Sequence, residues 1–106
     1  MKTMLDQNGY APSILTGHGP DCCFLCGRNG HLDRHEIFGA SNRQKSKRLG
    51  LWVHLCRSCH ESVHHNAVRM KQLHRFGQIE AMRHYHWTVD EFREQFGKNH
   101  LEEDES

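Results

Sequence analysis

The sequence predicts a small α+β domain in which a short β-hairpin precedes several helices. Two Cys-x-x-Cys pairs, Cys23 with Cys26 and Cys56 with Cys59, enclose a segment that contains two strand-like stretches. After the second pair, apolar residues recur at spacings near three and four, which is typical of helices. A chain of 106 residues forms one domain, and a core of that size is marginally stable. We therefore expect the cysteines to hold the two ends of the hairpin segment together.

The paired cysteines have the ligand spacing of a structural zinc site. Two i, i+3 pairs of thiolates form the closed tetrahedral set that structural zinc prefers. Only 36% of the residues are hydrophobic, so a metal ion that contributes to folding is expected. Cys22 is the fifth cysteine; we interpret it as a free thiol, with a competing ligand role against Cys23 as the alternative.

The expected location is the reducing cytoplasm. The cysteine count is odd, and residues 1–10 lack the apolar centre of a secretory signal. The sequence also has no apolar run long enough to cross a bilayer, so we expect no membrane partner.

The first half of the chain is predicted to consist of an arm and a hairpin. Residues 1–21 show no sustained periodicity and predict a flexible or loosely packed arm. Residues 32–38 predict a strand, with Asp33, His35 and Ile37 on one face. Residues 39–50 are polar, basic and rich in turn-forming residues, which predicts a loop, and residues 51–55 predict the second strand. These elements belong to a core domain that we assign to residues 22–66.

The second half is predicted to be helical. The periodic pattern after His60 predicts helices interrupted around Asn66 and near Gly77. The sequence from Thr88 to Glu91 has the form of a capping box, and Gly97 is a suitable end for the helix that follows. We assign residues 67–100 to a C-terminal helical extension and residues 101–106 to an acidic tail.

Charge is distributed unevenly along the chain. Residues 27–75 hold ten Lys or Arg against three Asp or Glu, whereas residues 76–106 hold three against eight. A basic central part is the electrostatic footprint of a phosphate-binding surface, so we expect DNA to be bound mainly through phosphate contacts. The acidic C-terminal part suits a contact with a protein partner. The expected phosphate contacts lie between the strands and are Arg43, Lys45, Lys47 and Arg48.

Several motifs together resemble those of the HNH, or ββα-metal, nuclease family. They are Cys-Phe-Leu-Cys-Gly, Leu-Asp-Arg-His-Glu-Ile-Phe-Gly, Asn42-Arg43, Gly50-Leu-Trp-Val, Leu55-Cys-Arg-Ser-Cys-His and Val63-His-His-Asn. More closely, the motifs resemble those of the small HNH-type proteins encoded by phages and prophages. The resemblance implies a zinc-stapled ββα-metal domain with additional C-terminal helices. It also implies a metal-dependent DNA endonuclease or nickase that hydrolyses phosphodiester bonds.

The resemblance also implies roles for particular residues. His60 and His64, at i, i+4 on one helix face, would hold a catalytic divalent metal, which could be Mg²⁺, Mn²⁺, Ni²⁺ or Zn²⁺. On the first strand, either His35 is a metal ligand and Glu36 stands at the position of the general base, or His35 is the base and Asp33 or Glu36 helps to hold the metal. Asn42 is the nearest residue that could orient the base.

Two other functions remain open on the residues alone. The chain could be a catalytically impaired HNH-derived zinc module that binds DNA or a protein partner, such as a host defence enzyme or part of a packaging machinery. It could also be a zinc-ribbon transcription factor, although that reading leaves the histidines after Cys59 without a role.

Overall fold

The computed structural model describes residues 5–15 and 21–101, and it contains a two-stranded sheet and helices. The strands β1 (Asp33–Glu36) and β2 (Trp52–Leu55) are antiparallel, with His35 opposite Val53. This arrangement confirms the predicted α+β class and the predicted order of hairpin and helices. The four α-helices of the described residues are α1 (Arg43–Arg48), α2 (Arg57–His64), α3 (Ala67–Tyr85) and α4 (Val89–Phe96).

The connection between the strands is helical, so the loop predicted for residues 39–50 is wrong. A 3₁₀ turn over Ala40–Asn42 leads directly into α1. Ser46 explains why this polar segment is ordered, because it is completely buried. Its hydroxyl donates to the carbonyl of Leu51 at 2.5 Å and accepts from the amide of Phe38 at 3.2 Å. A serine that local sequence assigns to a turn therefore joins both strand ends through tertiary hydrogen bonds.

Residues 5–15 pack on the hairpin, which corrects the expectation of a flexible arm for this part of residues 1–21. Tyr10, Ala11 and Leu15 are buried. The carbonyl of Ala11 accepts a hydrogen bond from the indole Nε1 of Trp52 at 2.8 Å. The hydroxyl of Ser13 donates to the backbone carbonyl of Trp52 at 2.6 Å. The segment thus satisfies polar groups of β2. Residues 1–4 and 16–20 of the expected arm lie outside the described residues.

The helical half follows its local signals with one exception. Asn66 caps α3 by accepting from the amide of Arg69, and Thr88 begins α4 with a complete capping box. Gly97 ends α4 in the left-handed conformation at φ 79°. The interruption expected near Gly77 does not occur, since α3 continues through that residue. Of the acidic tail predicted for residues 101–106, all but residue 101 lies outside the described residues.

The core lies between the hairpin and the C-terminal helices. Its buried members include Ile37 and Phe38, which directly follow β1, Val63 from α2, and Phe92 from α4. The helical extension is therefore part of the same hydrophobic core as the hairpin. No helix among the described residues is long and apolar enough to span a membrane.

Candidate metal centres

Four cysteines meet at the end of the hairpin. The sulfur atoms of Cys23, Cys26, Cys56 and Cys59 all lie within 4.8 Å of one another. The sulfurs of Cys26 and Cys56 are 3.8 Å apart, which matches the separation of about 3.8 Å between thiolates in a tetrahedral zinc site with Zn–S bonds near 2.3 Å. These four cysteines could bind a structural metal such as zinc, as their spacing predicted. Cys22 is half-buried and is not a member of the set.

The backbone around the first pair favours a thiolate. Burial raises the pKa of the Cys23 thiol, but hydrogen bonds from the backbone amides of Cys56, Cys26 and Leu25 outweigh it and lower the pKa to about 6. The tight turn after this pair places Gly27 at φ 79°, and its amide donates to the carbonyl of Cys23 at 2.9 Å. Backbone amides that point at a sulfur stabilise its negative charge. The first cysteine of the cluster is thus prepared for metal binding.

The last thiol of the cluster behaves in the opposite way. Burial raises the pKa of Cys59 to about 12, together with hydrogen bonds to the sulfurs of Cys56, Cys23 and Cys26 and repulsion from the Cys23 thiolate. Four thiolates so close together repel one another unless a cation neutralises them. The donor set and its charge therefore both fit a divalent metal.

A second cluster contains three histidines. His35 comes from β1, while His60 and His64 come from α2, and one nitrogen of each lies within 4.8 Å of the others. The ring of His35 is 5.3 Å from that of His60 and 5.5 Å from that of His64, and the last two are 5.0 Å apart. The structure thus brings together the strand histidine and the i, i+4 helix pair, as the sequence predicted.

His35 is the buried member of this cluster. It is only 4% exposed, and its Nε2 has no hydrogen-bond partner among the residues that the structure describes. Burial, reinforced by repulsion from His60, His64 and His74, lowers the pKa of His35 to about 4. The imidazole is therefore neutral near pH 7, with a polar atom in a dry environment that normally demands a partner. A metal ion bound between the three rings would supply one.

Asp33 fixes the orientation of His60. Their atoms Oδ2 and Nδ1 are 3.0 Å apart. The hydrogen bond from His60, aided by Arg57, holds the pKa of Asp33 below its usual value. The ionised carboxylate can only accept, so Nδ1 of His60 is the donor, and in the neutral imidazole Nε2 is the nitrogen that has a lone pair for a metal. A carboxylate behind a histidine is the usual support of a histidine that ligates a metal.

Glu36 lies away from the histidines. Its carboxylate accepts a hydrogen bond from the Tyr10 hydroxyl and pairs with Arg43, whose Nε is 3.1 Å from Oε1. Alternation along β1 accounts for this placement, because His35 and Glu36 point to opposite faces. Glu36 therefore belongs to the contact between the N-terminal segment, β1 and α1.

The other predicted site residues between the strands also make contacts away from the histidine cluster. Asn42 donates through Nδ2 to the carbonyl of Phe96 at 3.0 Å, which ties the start of α1 to the end of α4. Lys45 donates to the carbonyl of Gln95, and the Lys47 ammonium lies 4.7 Å from the centre of the Tyr10 ring. Arg48 is exposed on α1. The predicted phosphate contacts thus lie on a helix, and three of the four side chains serve intramolecular contacts.

Two residues beside the histidine cluster, Asp33 and Arg57, have contacts there that the sequence does not predict. The sequence suggests Asp33 only as a metal ligand, whereas in the structure it hydrogen-bonds to His60. The sequence indicates no role for Arg57, yet its Nε lies 3.1 Å from the same Asp33 oxygen. Strand alternation already placed Asp33 on the face of His35, and that was the available signal. The position of Arg57 beside it depends on how α2 packs against the hairpin, which no local pattern encodes.

Comparison of the chain with protein-family models, with curated proteins and with solved structures finds no match. Any inference about the function of this chain therefore depends on the chemistry of the two clusters.

Proposed function

We propose that the protein is a metal-dependent HNH-type DNA endonuclease or nickase that hydrolyses phosphodiester bonds. The observation that carries this proposal is the cluster of His35, His60 and His64, in which the buried Nε2 of His35 has no hydrogen-bond partner within residues 5–15 and 21–101. Three imidazoles that converge on one point form the protein part of a catalytic metal site with an open position. The placement of this cluster between a β-hairpin and the following helix supports the resemblance to ββα-metal nucleases.

The two clusters would have different roles. The four cysteines form a closed set, so their metal, which we propose is Zn²⁺, would stabilise the fold. A divalent metal at the three histidines would act as a Lewis acid on the scissile phosphate and would stabilise the leaving oxygen. Of the metals considered, nitrogen donors favour Zn²⁺ and Ni²⁺ over Mn²⁺ and, above all, over Mg²⁺.

The geometry favours one assignment of the strand residues. A base must reach the water that attacks, but His35 is buried, and its low pKa makes it a weak base. His35 is better suited to be a metal ligand. Glu36 points to the opposite face of β1, so it is not the base of a reaction at the histidines. Asn42, which is bonded to α4, is not its orienting residue.

The proposed partner and location follow from charge and chemistry. The basic central part of the chain supports DNA binding through phosphates. Metal-bound thiolates fit a reducing cytoplasm, and the resemblance supports a phage or prophage origin.

The placement of Glu36 favours a second candidate function. At the position where the family has its base histidine, this chain has a glutamate that forms an ion pair with Arg43. The domain would then be an HNH-derived module that binds without cutting. Its partner would be DNA or a protein that contacts the acidic surface of α4. That surface contains the exposed residues Asp90, Glu91 and Glu94.

A plasmid-nicking assay tests the proposal. The purified protein would be incubated with supercoiled plasmid and added Zn²⁺, Ni²⁺, Mn²⁺ or Mg²⁺, beside the variants His35→Ala and His64→Ala. His65→Ala is the matched control, because His65 is an exposed neighbour that is absent from the cluster. We expect the parent and the control to cut and both cluster variants to lose activity. A folded parent that binds DNA but never cuts would overturn the nuclease proposal in favour of the binding module.

A further inference from the structure

Arg57 is held beside the histidine cluster by the carboxylate that supports His60. It is the first residue of α2 and lies between the cluster cysteines Cys56 and Cys59. Its Nε donates to Oδ2 of Asp33 at 3.1 Å, and the same oxygen accepts from Nδ1 of His60 at 3.0 Å. One carboxylate oxygen therefore fixes both a cluster histidine and an arginine.

The outer part of the Arg57 guanidinium is available to a ligand. The side chain is 68% exposed, and its one contact described within residues 5–15 and 21–101 is made through Nε to Asp33. The two terminal nitrogens therefore face solvent next to the cluster. A guanidinium binds a phosphate through two parallel hydrogen bonds, and a carboxylate that already restrains it reduces the entropy lost on binding.

Three of the four basic residues of α1 make contacts away from the histidine cluster, and the fourth, Arg48, is exposed on that helix. Arg43 pairs with Glu36, Lys45 bonds to the end of α4, and Lys47 lies against Tyr10. These partners belong to the face of β1 opposite His35 or to the C-terminal helix. Arg57, in contrast, is a cation that Asp33 of the hairpin holds beside His60.

We propose that Arg57 binds a phosphate of the DNA strand that is held at the three-histidine cluster, and that Asp33 positions Arg57 and His60 together. This inference rests on the proposed function and identifies the substrate-binding residue of that site. It moves the principal phosphate contact from α1 to the start of α2.

The test compares Arg57→Gln with Arg93→Gln. Arg93 is a matched control because it is 60% exposed and also lies near a carboxylate, that of Asp90, at 3.7 Å. Binding of a short fluorescent duplex would be measured by anisotropy across a series of salt concentrations, and gels would confirm that the duplex stays intact. Phosphorothioate linkages replace the normal ones if it does not. We expect Arg57→Gln to weaken binding about tenfold and to reduce the salt slope by about one, while Arg93→Gln behaves as the parent.

Two further measurements separate a phosphate contact from damage to the fold. Arg57→Lys keeps the charge but not the paired hydrogen bonds, so it should bind with intermediate affinity and an unchanged salt slope. Metal content and circular dichroism of each variant should equal those of the parent, because Arg57 is exposed.

The outcomes distinguish this inference from the proposed function. If the parent cuts and binds DNA but Arg57→Gln binds equally well, the inference is wrong and the nuclease proposal survives. If the parent binds without cutting and Arg57→Gln still weakens binding, the inference stands for a binding module and the nuclease proposal fails. If the parent does not bind DNA, the inference is overturned with the proposed partner.

Discussion

Glu36 and Arg43 form an ion pair in which Nε of the arginine is 3.1 Å from Oε1 of the glutamate. The same carboxylate accepts a hydrogen bond from the hydroxyl of Tyr10. One side chain of β1 thus joins the N-terminal segment to α1 on the face that points away from His35. This relationship gives Glu36 a structural role at the position where the family resemblance implied a base.

We expect Glu36→Gln to retain nicking activity and to lower the free energy of unfolding by about 1–2 kcal/mol. The Glu36 side chain is only 13% exposed, so the loss of its charge weakens two partly buried contacts. Urea unfolding and the plasmid assay measure the two effects separately. Loss of activity in a variant that remains fully folded would restore Glu36 to the catalytic machinery.

Tyr10 should make stability fall at high pH. Burial raises the pKa of Tyr10 from its ordinary value of 10.0 to about 12, and the hydrogen bond to Glu36 and the charge of Glu36 add to this effect. The folded protein then holds this proton more tightly than the unfolded chain does between pH 10 and about 12. The contribution to stability is therefore complete below pH 10 and is lost as the pH rises through the folded pKa.

The variant Tyr10→Phe isolates this contribution. Its unfolding free energy should fall less steeply than that of the parent in the same alkaline range, and the tyrosinate absorbance that remains should report Tyr85 alone. Identical alkaline slopes for the parent and the variant would show that Tyr10 ionises equally easily in both states.

Features with a local cause could be predicted from the sequence. The i, i+3 cysteine pairs and the i, i+4 pair of His60 and His64 owe their proximity to a turn and to a helix. The capping box at Thr88 and the helix end at Gly97 also depend only on neighbouring residues. These predictions were therefore reliable for the four-cysteine cluster and for the beginning and end of α4.

Features with a tertiary cause could not be predicted in this way. Ser46 and Asn42 are residue types that are common in loops. In the structure, however, Ser46 lies within α1 and bonds to Leu51, which directly precedes β2, and Asn42 lies at the start of α1 and bonds to Phe96 of α4. The packing of residues 5–15 depends likewise on β2. The contacts of Glu36 with Tyr10 and Arg43 are also tertiary, so no local pattern encodes them.

We expect the protein to bind two metal ions per chain when it is loaded with Zn²⁺. The closed cysteine set and the three histidines are separate groups of donors, so loss of the histidine site should leave the cysteine site intact. Mass spectrometry of metals should find that His64→Ala loses one ion and stays folded, whereas His65→Ala keeps both. Cys59→Ser should lose the structural ion and unfold, because its remaining thiolates repel one another and the closed set is broken.

Metal selectivity provides a further check on the histidine cluster. Zn²⁺ and Ni²⁺ should raise the melting temperature of protein that contains only its structural metal, and Mg²⁺ at similar concentration should not, since nitrogen donors bind Mg²⁺ poorly. The rise should be absent in His64→Ala. A shift with Mg²⁺ that survives in this variant would place the binding elsewhere.

Gly77 allows α3 to approach the hairpin at the end of β1, and this explains a glycine in the middle of a continuous helix. A Cβ atom there would lie 2.7 Å from Cγ2 of Ile37 and 3.4 Å from the ring of Phe38. We expect Gly77→Ala to lower the free energy of unfolding by about 1–3 kcal/mol, despite the higher helix propensity of alanine, because the core must shift to admit the methyl group. Gly39→Ala is the control, since its Cβ would meet nothing within 4 Å and its φ of −94° suits an alanine.

Because Ile37 and Phe38 directly follow the strand that carries His35, Gly77→Ala should also reduce nicking activity and Gly39→Ala should leave it unchanged. If Gly77→Ala proves as stable and active as the parent, the close approach of α3 to β1 does not position the histidine cluster.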